Sequence, residues 1–364
     1  MKLWQEHILH PAVHGSRKGH EVHEAYMDLV FQQDLARIRD QHVHGFLLDN
    51  AKFFDMYIPK VVGSICRKAG LDGRFVKFMG NMWEEQKIYT KLAGHFAEKP
   101  DTPSNSLAQG CSFSLIATNI HTSIWSFFLC TVIAGLKTGG FVDDVNMLHK
   151  CEKALNAAFQ LTLEFNKHTG HEINQGRSSA FSTDIKVRTR LRRKLVPVPG
   201  AARCLGHQHK CTKANSKVVH DKAVHKYMRT VDKIAFLPVD RERKIKFCRT
   251  AAIKQLTFST LSAYPSKTIW QTARRRWLKA IFADTRKMKA TEVVLALHLK
   301  ATHTDPQFAS VAATILDLHR IFKKRDRFGN WFGEIRNNER ESYCFLWWAG
   351  GAAAEGLQAC GCQH

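Results

Sequence analysis

Carboxylates are what this 364-residue chain lacks: 32 Asp and Glu stand against 55 Lys and Arg, a net charge of +23. That shortage excludes an acidic solvating chain, and it makes an acidic polymer the expected partner, nucleic acid first in that class. Internal repeats and low-complexity tracts are missing too, and the composition excludes a disordered tail protein or a collagen-like fibre. No secretory leader opens the chain, because His7, His10, His14 and Arg17 interrupt any early apolar stretch. Ten cysteines are spread among apolar segments without the spacing of a small disulfide framework; they read as reduced core thiols of an intracellular protein.

What is present is a globular balance, 44% hydrophobic and 24% charged, at a length that suits about two domains and a core needing no staples. One run, Phe113 to Leu136, is long and apolar enough to span a bilayer. Asn119 and His121 lie inside it, so a buried helix followed by a strand is the expected form, with a membrane anchor as the competing one.

Periodicity predicts a helix over Ala25–Ile38, a buried strand Phe46–Leu48 ending at Asp49, and a helix Pro59–Lys68 with proline in its first turn and Gly70 at its stop. A second helical stretch is expected over Arg74–Leu92, then a loop over Lys99–Ser106. Gly139-Gly140 reads as a chain break, Phe141–Leu148 as a hairpin with acids at its tip, and Cys151–Lys167 as an amphipathic helix stopped by Gly170. From about residue 185 to 290 the chain reads as helical and basic. Its first run, Lys186 to Lys194, fits a nuclear-localisation patch, a phosphate-binding edge or a solvated hairpin rim. Trp270, Ala273 and Trp277 share a helical face, which would leave Arg274, Arg275 and Arg276 outside.

The scarce acids are placed tellingly. Asp49 ends a strand, and Asp143-Asp144 sit in an apolar hairpin about 90 residues later. Ionised carboxylates beside a core are costly unless paired or bound to metal. Three on two strand ends would suit two hard cations that bridge phosphates in in-line transfer. The plain alternative is one strand-end acid and one solvated turn. Cys204, His207, His209 and Cys211 fall in one short loop, and Cys360, Cys362 and His364 end the chain. Both groups invite zinc, but structural zinc sites usually pair separated ligand clusters, so coincidence is the preferred reading.

Several motifs then resemble one family in order. Asp49-Asn50-Ala51-Lys52-Phe53-Phe54-Asp55 is similar to the Asp-x-x-Lys-Ala-Phe-Asp motif of reverse transcriptases of the non-LTR, LINE-like retrotransposon type. Gln109-Gly110-Cys111-Ser112-Phe113-Ser114 resembles Gln-Gly-Cys-Pro-Leu-Ser, and Phe141-Val142-Asp143-Asp144 the aromatic-x-Asp-Asp box. Gly170-His171-Glu172-Ile173-Asn174 with Arg177-Ser178 resembles Gly-x-x-Ile-Asn-x-x-Lys-Ser. Leu205-Gly206 matches the Leu-Gly of the primer grip, and Gly15-Ser16-Arg17-Lys18-Gly19 a basic element of the fingers. The sequence departs from the family at Ser112, Ile116 and Arg177, where Pro, Pro and Lys are usual.

The resemblance implies an α+β polymerase right hand: partial fingers over 1–45, a palm over 46–215, a mostly helical basic thumb over 216–300 and a C-terminal extension of unknown role over 301–364. It implies RNA-directed DNA polymerisation of a retroelement, with Asp49, Asp143 and Asp144 as catalytic acids holding two Mg²⁺ ions, Mn²⁺ being the alternative. Phe54 would bar a 2′-hydroxyl, while Gln109 and Gly110 would lie along the template and nascent pair. Arg177, Arg17 and Lys18 would meet phosphates, and Leu205, Gly206, Arg274 and Arg275 would hold nucleic acid. The expected partners are an RNA template, a DNA primer, their RNA–DNA duplex and dNTPs, with no membrane and an intracellular, nuclear location; no oligomeric state is implied. The rival expectation is a truncated relic that binds nucleic acid without copying it.

Overall fold

A computed structural model of the chain describes residues 6–192, 196–210, 218–258, 260, 262, 266–282 and 305–323. Cys211, the tail Cys360, Cys362 and His364, and the C-terminal tryptophans lie outside the described residues. The chain divides into two compact units, Met1–Pro199 and Gly200–His364.

In the first unit, helix α1 (Val22–Ile38) leads into strand β1 (His44–Asp49). A 3₁₀ turn (Phe53–Met56) and helices α2 (Pro59–Lys68) and α3 (Gly73–Glu84) follow. Pro59 occupies the first turn of α2, and Asp72 caps α3 by accepting from the N–H groups of Arg74 and Phe75 at 2.9 and 3.1 Å. The short strands β2 (Lys91–Leu92) and β3 (His95–Phe96) form an exposed hairpin before helix α4 (Ser112–Val132). Then come β4 (Lys137–Phe141), β5 (Asp144–His149), α5 (Glu152–Thr169), β6 (Ser179–Ser182) and α6 (Ile185–Leu191).

The four longer strands make one antiparallel sheet in the order β4-β5-β1-β6. Side chains alternate across it. Phe46 and Leu48, opposite Met147 and Val145, form one core with Trp125, Leu129, Leu155 and Phe159 of α4 and α5. Phe46 stacks on Phe159 at 4.5 Å. By the same parity Leu47 and Asp49, opposite Asn146 and Asp144, belong to the other face. Helix α5 carries Glu152 in its first turn, Lys167 and His168 in its last, and Gly170 at φ +80 as its left-handed stop.

Helix α4 has the length and hydropathy of a membrane span, yet Ser114, Thr118, Asn119, His121, Thr122, Ser123 and Ser126 on it are buried. Asn119 donates to the Gly15 carbonyl, Ser123 accepts from the His10 N–H at 3.0 Å, and Trp125 donates to Thr162 at 3.1 Å. It packs as a core helix followed by a strand.

Four readings of the chain's elements are corrected. Gly139 and Gly140 do not break the chain but lie inside β4. There a Cβ on Gly139 would meet the Asn146 amide at 2.7 Å and one on Gly140 would meet Thr122 at 2.6 Å. The stretch Arg74–Leu92 is not one helix: it stops at Glu84, and Ala93-Gly94, both at positive φ, turn the hairpin that follows. The basic run beginning at Lys186 forms the short helix α6 rather than a hairpin rim, with residues 193–195 outside the described set. Finally, the basic region is not helical throughout: two paired strands, over 201–204 and 207–210, interrupt it.

The second unit opens with a hairpin, β7 (Ala201–Cys204) and β8 (His207–Lys210). Its described α-helices are α7 (Val218–Ala235), α8 (Arg241–Phe247), α9 (Ile253–Thr257), α10 (Lys267–Phe282) and α11 (Pro306–Lys323). Tyr227, Val231, Cys248, Leu256, Trp270, Ala273 and Trp277 form its core. Burial pushes the Cys66 thiol up to about 11 and that of Cys248 to about 12, which suits unreactive thiols. Cys66, Cys111, Cys130, Cys151 and Cys248 are free, and Cys151 is exposed rather than buried.

Candidate active site

The two central strands bring the scarce acids together. In the β1–β5 register Asp49 lies directly opposite Asp144, a placement that sets the Cβ atoms of paired residues roughly 5 Å apart on one face. Asp143 is the neighbouring turn residue, because Phe141 pairs with Asp144 and leaves only Val142 and Asp143 in the loop. Val142 holds φ +60, a conformation that a β-branched residue rarely adopts. The Val142–Asp143 turn is therefore fixed by its surroundings rather than by local preference.

Those surroundings are visible. The His14 N–H donates to the Gly140 carbonyl at 2.8 Å, and the Gly140 N–H to Ala12 at 3.0 Å, so residues 12–14 line the edge of β4. Gly15 follows, so close to the turn that a Cβ would lie 2.8 Å from the Val142 nitrogen. Arg17 donates to the carbonyls of His10 and Val13 at 3.2 and 2.9 Å and so ties this segment to itself; Lys18 is exposed.

Asp49 is held from the other side by the loop after α5. The Asn174 N–H donates to the Asp49 carbonyl at 2.8 Å, and the Asp49 N–H donates to Ser178 Oγ at 3.0 Å. The Ala51 N–H donates to the Glu172 carbonyl, Asn166 donates to Asn50, and Asn50 donates to the Asp143 carbonyl at 3.4 Å. One polar net thus joins both acid-bearing strand ends to the loop. Arg177 is exposed on that loop. Asn50, Asn166 and Gly15 were not singled out for these roles in the sequence; only the Gly15–Gly19 spacing hinted at one.

Phe54 is half-buried just beyond Asp49, and its carbonyl accepts from the Leu107 N–H at 2.8 Å. That bond brings the segment leading to Gln109 and Gly110 beside it. Both of those are exposed, and Gly110 turns at φ +84 into α4, a value that favours glycine. Behind this wall lies a buried ring cluster. His121 and His171 are 4.7 Å apart between centroids, with Tyr57 4.4 Å from His171 and Phe53 5.2 Å from it. Burial lowers His121 to about 3 and His171 to about 4, so both rings are neutral near pH 7. A cavity of about 470 Å³ opens beside His171, between α5 and the 170–175 loop.

In the second unit, Leu205 and Gly206 form the two-residue turn between β7 and β8, both at positive φ. Gly206 lies against Phe258, where a Cβ would clash at 2.5 Å. Arg275 is exposed on α10. Arg274 is a correction: it is not an outward phosphate-facing residue, because its guanidinium forms a largely buried ion pair with Asp305 at 2.7 Å. Asp305 in turn caps α11 through the N–H groups of Gln307 and Phe308.

The donor set at the strand ends fits hard divalent cations. Two of the carboxylates are in register, where like charges repel unless a cation offsets them. Among the described residues the three aspartates are not one of the groups whose ligand atoms all lie within 4.8 Å of one another.

Several solved structures resemble the chain at low identity. They include apo telomerase from Candida tropicalis, at 12% identity and TM-score 0.48 over 94% of this chain and 57% of that one. Telomerase from Candida albicans with a fragment of telomeric RNA matches at 11% and 0.45, covering 92% and 53% respectively. A C. tropicalis telomerase truncated from its C-terminal domain matches at 13% and 0.41, covering 55% and 39%. No family model matches the chain, and no curated protein does. The chain spans between about two-fifths and three-fifths of those telomerase chains.

Proposed function

We propose that the chain is an RNA-directed DNA polymerase of retroelement type. The observation that carries the reading is the in-register pairing of Asp49 with Asp144, beside a hairpin turn that ends in Asp143. Asp49, Asp143 and Asp144 would hold two Mg²⁺ ions, with Mn²⁺ able to replace them. Bound there, the ions would supply charge stabilisation for transfer of a nucleotidyl group from a dNTP to a primer 3′-hydroxyl. The remaining steps belong to this chain's own residues. The loop through Asn174 and Ser178 fixes the β1 end, and Gly15 and Val142 fix the hairpin turn. In this reading Phe54 flanks the sugar, and Gln109 and Gly110 flank the template and nascent pair. Lys18 and Arg177 are exposed cations suited to phosphates. Arg17 contributes through the fold of its loop. The second unit would grip RNA–DNA through Arg275, with Leu205 and Gly206 shaping the turn near the primer. The nucleus is the proposed place of action.

The test is primer extension on poly(rA)/oligo(dT) with Mg²⁺ and dTTP, comparing the native chain with a variant carrying Asp143→Ala and Asp144→Ala. Extension that disappears in the variant supports the polymerase. Duplex binding without extension in both proteins would favour a relic that only binds nucleic acid.

A further inference from the structure

A second group of ligating side chains lies beside the aspartate hairpin, in the segment that lines its edge. His14, His20 and Glu24 bring their ligand atoms within 4.8 Å of one another. His14 and Glu24 are almost wholly buried, at 1% and 2% exposure. The two imidazoles approach through their Nδ1 atoms, 3.3 Å apart. The other nitrogen of His14, Nε2, lies 2.8 Å from Asp28 Oδ2.

We propose that His14 Nδ1, His20 Nδ1 and a Glu24 carboxylate oxygen form a site for one Zn²⁺ ion, independent of the polymerase reading. Three observations support it together. First, ligands about 2.0–2.1 Å from a tetrahedral zinc are roughly 3.3–3.4 Å from each other, which is the spacing of the two Nδ1 atoms. Second, His14 is oriented as metal-bound histidines usually are. Its Nε2 lies against a carboxylate, the partner that holds the proton on Nε2 and leaves Nδ1 to bind a metal, and Nδ1 is the atom that faces His20. Third, helix periodicity supplies the rest: Glu24 and Asp28 are four residues apart in α1 and share a face. The Glu21 N–H lies 3.4 Å from Glu24 Oε2, a cap contact that a monodentate carboxylate can keep. Two imidazoles and one carboxylate form a donor set suited to Zn²⁺ rather than to Mg²⁺, which prefers oxygen alone.

The ion would have a structural effect on this chain. It would tie the 14–20 loop to α1. The same loop hydrogen-bonds Gly140 through the His14 N–H and packs Gly15 on Val142. Zinc would thus stiffen one wall of the aspartate turn without touching the acids.

The experiment uses the full chain, stripped with chelator and titrated with Zn²⁺ against a chromophoric competitor. The thermal midpoint is followed in parallel, and the absorption spectrum of the Co²⁺-loaded protein is recorded. The expected result is one tight equivalent, a raised midpoint and Co²⁺ bands of a four-coordinate nitrogen–oxygen site. His20→Ala, at a half-exposed position, should weaken binding at least 100-fold and abolish the midpoint rise. Asp28→Asn should weaken it 10- to 100-fold while leaving all three ligands in place. Because the chain has 20 histidines, His42→Ala serves as the control and should change nothing. No tight equivalent, or equal binding by His20→Ala, would overturn the proposal and leave the group as a hydrogen-bonded His–His–Asp relay.

Discussion

At the scale of single residues, close approach does more than charge to shape the candidate site. Gly15 has no room for a methyl group: its Cβ would lie 2.8 Å from backbone nitrogen and 2.9 Å from a methyl of Val142. Since backbone cannot swing aside as a side-chain tip can, Gly15→Ala must push the Val142–Asp143 turn away from β1. Extension should fall at least tenfold, while the unfolding free energy moves by no more than about 1–2 kcal/mol. A variant with full extension would show that the turn tolerates displacement. Tyr57 argues in the opposite direction. Its hydroxyl is buried without a hydrogen-bond partner among the described residues, and burial holds its pKa well above the usual value. Tyr57→Phe removes a polar group that costs free energy to bury, so stability should rise by about 1 kcal/mol. A drop in the urea midpoint would reveal a partner for that hydroxyl.

Elements show what could be read in advance and what could not. The α5 pattern of Leu155, Ala158, Phe159 and Leu163, with Gly170 after it, places a helix and its end because both signals are local. Strand β1 was equally legible from its apolar run. The pairing of Asp49 with Asp144 was not, because register between strands so distant in sequence is set by the fold around them. The hairpin at 91–96 was missed because Ala93-Gly94 lacks the Asn-Gly signal that marks such turns. The inward aim of Arg274 depended on Asp305, a partner no helical spacing reveals. The contact between α4 and the 170–178 loop was hidden in the same way, and it carries an acid-sensitive prediction. His121 and His171 are neutral when folded down to about 3 and about 4, whereas an unfolded histidine takes a proton near 6.5. The unfolded state therefore binds more protons as pH falls, so the stability these rings contribute is complete above pH 6.5 and is lost from there toward pH 4. Unfolding free energies from urea titrations between pH 7.5 and 5 should decline by a few kcal/mol, and less steeply in His171→Gln. A profile with the same slope in both proteins would remove the pair as its cause.

For the whole molecule, the excess of 23 positive charges predicts how it should hold nucleic acid. Cations that neutralise phosphates release condensed counterions, so affinity for an RNA–DNA duplex should fall linearly in a plot of log K against log salt. Six to ten phosphate contacts would cost about 10³–10⁵ in affinity between 50 and 200 mM salt. Such binding should depend little on sequence, because contacts to the backbone do not read bases. The two neighbouring arginines of α10 separate this effect from folding. Arg275 is exposed, so Arg275→Ala should lower the salt slope by about one and weaken every duplex alike, with little change in thermal midpoint. Arg274 is engaged with Asp305, which is almost fully buried and caps α11. Arg274→Ala leaves that carboxylate without its partner, and the cost should be roughly 3–5 kcal/mol of stability. Its salt slope should match that of the native chain wherever the variant is folded. If Arg274→Ala instead changed the slope while the midpoint held, the ion pair would be dispensable and the guanidinium would face phosphate after all.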